Sequence, residues 1–158
     1  MPKLQQTDGI NFGDLPPAIN AILQDGVSLY PTDRAGAERL FREALDRAPE
    51  ELPTYYCLYK IHTYQGSLEE ARIAAEAGLA EATRQIGWPG DWRAWPKPEA
   101  PPQGAARFAL YTLKALAFIH LRREEVPEAR AMLDVLRGLD PEGLVGWPII
   151  ASLAEEME

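Results

Sequence analysis

The stretch AGAERLFREALDRAPE (residues 35–50) decides the fold, because its spacing returns twice, as LEEARIAAEAGLAEAT (68–83) and PEARAMLDVLRGLDPE (127–142). Aligned on Ala37, Ala71 and Ala129, the first interval is 34 residues and the second is 58, one further period plus an insertion of 24. The agreement extends upstream. LYKIHTYQGSLEEAR (58–72) and LAFIHLRREEVPEAR (116–130) coincide at Leu58/Leu116, Ile61/Ile119, His62/His120, Glu70/Glu128 and Arg72/Arg130. A fixed period of this length means one supersecondary unit used repeatedly.

Working outward, each copy reads as the second member of a helix pair. Asp14 is expected to cap a first helix, with Pro16 and Pro17 in its opening turn and Ile19, Ile22, Leu23, Val27 and Tyr30 along one face. Pro31-Thr32-Asp33 ends it and caps a second helix, which carries Ala37, Leu40, Phe41, Ala44, Leu45 and Ala48 and stops before Pro49. A third follows Pro53, with Tyr55, Leu58, Tyr59 and His62 on one side, and closes at Gly66. Ser67 is expected to cap a fourth that runs toward Ile86. Helices are further predicted near 105–123, 127–139 and 144–157, and no stretch alternates as a strand does. The expectation is an all-α chain with a loose segment at 1–13 and one domain over 14–158, in units of about 17–50, 52–86 and 105–141.

The pattern of a small residue, a large apolar one four later, another small one and a closing proline resembles the tetratricopeptide repeat. Ala37, Phe41, Ala44 and Pro49 carry it in the first unit, and Ala129, Leu133, Leu136 and Pro141 in the third. The second offers Ala71, Ala75 and Gly78 without the proline, so its last helix should run on. The resemblance implies a right-handed superhelix of three helix-turn-helix pairs, with Trp147 and Ile150 opening a C-terminal capping helix. It also implies a concave face, lined by the first helices of successive units, that binds protein partners. The family's clamp for terminal carboxylates uses asparagines along that face, and this sequence has none there. The segments at 58–66 and 113–123 are also similar to small repeat proteins encoded among nitrogen-fixation genes, which would imply an accessory role in metalloenzyme assembly.

The 158 residues carry a net charge of −8, with 46% hydrophobic and 25% charged residues. That is the composition of a soluble globular protein. Excess negative charge disfavours nucleic acid and anionic membranes as partners, since both need clustered Lys and Arg. The single cysteine, Cys57, the absence of an apolar leader in MPKLQQTDGINFGD (1–14) and the short, interrupted apolar run at 144–154 point to the cytoplasm.

Catalytic chemistry finds little support. His62 and His120 occupy equivalent repeat positions, with no carboxylate or thiol at ligand spacing, and are expected to be satisfied core residues, so no metal or other cofactor is predicted. Cys57 lacks a nucleophile signature, and the pairs Glu50-Glu51, Glu69-Glu70 and Glu124-Glu125 suit helix starts and turns. No phosphate loop, HExxH or GxSxG motif is present, so an enzyme is not expected.

Binding is better supported. Helical phase turns Tyr56, Lys60, Thr63 and Tyr64 away from the Leu58/His62 seam, and Tyr111, Lys114, Phe118 and Arg122 form the equivalent face of the third unit. Aromatics interleaved with cations in an acidic protein suggest capture of an acidic or C-terminal peptide segment. The expected function is therefore an adaptor or assembly chaperone acting as a monomer or homodimer. A secretion-type chaperone is the nearest alternative. A self-associating subunit that uses Trp147 or the insertion is another. The insertion GWPGDWRAWPKPEAPPQG (87–104) holds Trp88, Trp92 and Trp95, too many indoles for a flexible linker. An ordered loop with one short turn at 91–95 is expected, packed on the array within reach of Tyr64 and Tyr111, either as a plug or as a lid.

Overall fold

The computed structural model describes residues 10–157, among which every regular element is helical. The order is α1 (Pro17–Leu29), α2 (Arg34–Arg47), α3 (Leu52–Gln65), α4 (Leu68–Ile86), a single 3-10 turn (Trp92–Ala94), α5 (Gly104–Arg122), α6 (Val126–Leu139) and α7 (Trp147–Glu156). Each helix packs on its neighbour in sequence. In addition α3 touches α5 and α5 touches α7, so these three lie side by side. One hydrophobic core runs from Ile19 in α1 to Ala154 in α7.

Local chemistry explains most boundaries, and the expected starts of the first and last helices shift. Pro17 forces Pro16 into extended geometry (φ −52, ψ 135), so α1 starts beyond Asp14 and has no side-chain cap. Asp33 does cap α2, accepting from Gly36 N. Ser67 stands at the N-cap of α4 without a side-chain hydrogen bond, and Glu69 and Glu70 in the first turn favour the helix dipole instead. Without a closing proline α4 reaches 19 residues, against 14 for α2 and for α6. The last helix begins at Trp147 rather than Leu144. Buried Asp140 takes the backbone N–H groups of Leu144 and Val145, and its carbonyl accepts Trp147 Nε1 at 2.7 Å, holding residues 143–146 as a turn.

Small residues set the close approaches between helices. A Cβ at Gly26 would overlap the ring of Phe41, and one at Gly78 would crowd Tyr55 and Phe108. Glycine at these points lets α1 approach α2, and α4 approach both α3 and α5. Tyr59 and Thr112, both buried, share a hydrogen bond of 3.1 Å between α3 and α5. His120 is satisfied as expected, by Glu125 at 2.7 Å. His62 is not. Glu38 Oε2 lies 3.3 Å from its Nε2 but off hydrogen-bond geometry, leaving both ring nitrogens buried without a hydrogen bond among the described residues.

The two equivalent interhelix turns differ instructively. Gly66 ends α3 in left-handed geometry (φ 79), whereas Glu124 holds the matching place after α5 at φ 64. A side chain in that conformation costs about 1–2 kcal/mol, partly offset by the entropy glycine loses on folding. Glu124→Gly is therefore expected to raise stability by about 0.5–1 kcal/mol in urea unfolding, and a lower midpoint would refute the strain. Around this turn Arg123 pairs with Glu69 and Glu125 and so ties α4 to α5. Hydrogen bonds from Arg72, and then from Arg123, hold the Glu69 carboxyl down to about 2.

The described part of the segment expected to be loose, residues 10–13, is tied to the helices. Residues 1–9 of that segment lie outside the described residues. At Ile10 the Gln24 side-chain amide bonds both backbone groups, and Phe12 packs against the core. The insertion forms the predicted short turn, with Asp91 accepting from Arg93 N. Trp95 is buried and bonds Pro89 O, and Trp88 stacks at a tilt against it at 5.4 Å. Trp92 is half-buried.

Candidate functional site

Helical periodicity places Tyr56, Lys60 and Tyr64 on one stripe of α3, each four residues from the next. It places Lys114, Phe118 and Arg122 on one stripe of α5, with Tyr111 a turn earlier. Because α3 and α5 lie side by side, the two stripes meet. Lys60, Thr63, Tyr64, Tyr111, Lys114, Phe118 and Arg122 line one cleft of about 330 Å³, together with Tyr59, Ala115 and Ile150. Seven of the eight residues singled out from sequence thus converge. The eighth, Tyr56, is half-buried just beside it, its ring 6.1 Å from that of Tyr111.

Thr63 corrects the expectation in one respect. It is only 8% exposed, and its hydroxyl donates to Tyr59 O in the preceding turn. It shapes the cleft floor but has its proton committed. Tyr64, at 69% exposure, stands at the opposite extreme and forms the open lip.

The cations of the cleft rest on aromatic faces rather than on carboxylates. Lys60 Nζ sits 5.5 Å from the Tyr56 ring centre and 5.4 Å from that of Tyr64. Lys114 Nζ lies 4.0 Å above Tyr111, and the Arg122 guanidinium 5.9 Å from Phe118. Such contacts leave each charge free to meet an anion from the solvent side. Among the described residues none of these three cations has a carboxylate within ion-pair distance, whereas Arg42, Arg47, Arg72, Arg84, Arg93 and Arg123 all do. Burial, and secondly the charge of Lys60, push the Lys114 ammonium below its usual range. An incoming carboxylate would relieve the second of these. Burial, followed by Tyr111, pushes the Tyr56 phenol up to about 12, so it stays neutral and able to donate.

Other expected features fall elsewhere. The insertion does not border the cleft beside Tyr64 and Tyr111. Its turn packs on α6, and residues 97–102 face the α6–α7 turn. The 17-residue connection leaves the end of α4 on the side that α6 occupies, away from the α3–α5 face. Trp147 cannot serve as an association surface, because it is buried with its indole N–H bonded. Cys57 is buried, and that burial pushes its thiol up to about 12, which suits packing rather than nucleophilic chemistry. Ile150 was overlooked as a lining residue. The position of α7 against α5 brings it to the cleft, and the one-face pattern of α7 was the available signal.

No protein-family model matches the chain, and neither do any curated protein or any solved structure. No helix among the described residues is long and apolar enough to cross a membrane.

Proposed function

We propose that this chain is a protein-interaction module of the cytoplasm, a tetratricopeptide-like right-handed superhelix that captures an acidic segment of a partner along α3 and α5. It acts as an adaptor or assembly chaperone and performs no catalysis. The observation that carries the reading is the row of three cations, Lys60, Lys114 and Arg122, seated on aromatic faces with no carboxylate partner among the described residues, in a chain of net charge −8. Positive charge gathered on one face of an acidic protein favours anionic segments. The 34-residue period and the side-by-side placement of α3, α5 and α7 support the superhelical arrangement.

The test is binding of fluorescent acidic peptides at several salt concentrations. The Lys60→Glu/Lys114→Glu variant should lose affinity by at least tenfold and should lose most of the salt dependence, with helicity unchanged by circular dichroism. Undiminished binding would move the site off this face.

A second reading, a self-associating subunit, is favoured by a different surface from the one sequence suggested. Ile149, Leu153 and Met157 recur every four residues on the outer face of α7, with Ile149 71% exposed. Sedimentation at micromolar concentration separates the two readings, since a tight dimer that Ile149→Lys dissolves would favour the subunit.

A further inference from the structure

Beside the cationic cleft lies a second recess of about 160 Å³, walled by Phe12, Val27, Phe41, Tyr56 and Ile61 among others. Lys60 and Tyr64 line both, so recess and cleft form one continuous trough. The two halves differ in chemistry. The recess is lined mainly by aliphatic and aromatic side chains, with Lys60 its one cation. The cleft carries the three cations.

We infer that the trough recognises an extended acidic segment bearing one bulky apolar residue, with that residue seated in the recess and the carboxylates laid along Lys60, Lys114 and Arg122. This rests on the reading above and specifies its ligand. Charge complementarity fixes the acidic half, and the shared residues put the anchor on one side of Lys60 and the carboxylates on the other, in either chain direction. Lys114 and Arg122 stand two turns apart on α5, about 12 Å, a span of about four extended residues. Side chains alternate along an extended segment, so carboxylates at every second position face the α5 row. The chain itself shows how non-helical backbone is held at this edge. The Gln24 side chain bonds both the N–H and the C=O of Ile10, and Ile10 and Phe12 line the recess from outside any helix.

Two labelled peptides of equal length and charge test this against the full chain by fluorescence anisotropy. Each has acidic residues in alternate positions, flanked at both ends in one by leucine and in the other by serine. The leucine peptide should bind about ten- to a hundredfold tighter, the range expected for burying one such side chain. Filling the recess with Val27→Phe should erase the difference while the serine peptide keeps its affinity. Phe12→Trp fills it from the non-helical side, should Val27→Phe disturb α1. The Lys60→Glu/Lys114→Glu variant should weaken both peptides. Equal affinity of the two peptides for the unaltered chain would overturn the anchor and leave acidic capture standing. A leucine advantage that survives both fillings would also overturn it. No binding of either peptide would overturn both this inference and the function it rests on.

Discussion

Truncating Phe41 to alanine is expected to cost about 3–5 kcal/mol. The side chain is 1% exposed, and its ring lies directly over Gly26 of α1. Glycine has no side chain to swing into the space, and two helices locked by their other contacts cannot close it, so the cavity persists. Small-domain stability totals only about 5–15 kcal/mol, so the variant would be marginal. A companion substitution reveals the mechanism. Gly26→Ala alone forces its methyl against the Phe41 ring and should destabilise. In the Phe41→Ala background the same methyl enters vacated space and should be neutral or stabilising. Urea unfolding of the four proteins would show this as a departure from additivity. Additive costs would mean that the two residues do not compete for the same volume.

Trp147→Ala is expected to cost a similar amount, about 3–5 kcal/mol, and to lower Tm by roughly 10 °C or more. The indole is 5% exposed, fills the core at the α6–α7 junction, and bonds the Asp140 carbonyl. Arg137 adds a contact over its face at 4.8 Å. Trp147→Phe separates the contributions, since it keeps most of the apolar area and gives up the N–H, for about 1–2 kcal/mol. Deleting residues 143–158 should exceed either change, because α5 and α6 both lose a covering helix. An undiminished Tm in the truncated chain would show that α7 does not close the array.

The sequence by itself determined the helices and their pairing. Proline, glycine and Asp33 punctuate the chain by backbone geometry alone, and the stripes Tyr56/Lys60/Tyr64 and Lys114/Phe118/Arg122 follow from 3.6-residue periodicity. Hence the fold class and the convergence of the cleft residues were legible without coordinates. Tertiary structure decided what depends on neighbours distant in sequence. Whether His62 finds a partner turns on where Glu38 of α2 points, and periodicity carries no such information. The insertion's three tryptophans announced order, but only the packing of α4, α5 and α6 sent them to α6 rather than to the cleft. Thr63 shares a face with Lys60, yet its hydroxyl folds back on Tyr59 O, a local bond that competes with exposure. The recess sets Val27 and Ile61, equivalent positions one period apart, against Phe12 from outside the repeat, and the repeat says nothing of where Phe12 goes. Side-chain phase is a property of one helix, whereas a cavity is a property of several, and only their packing creates it.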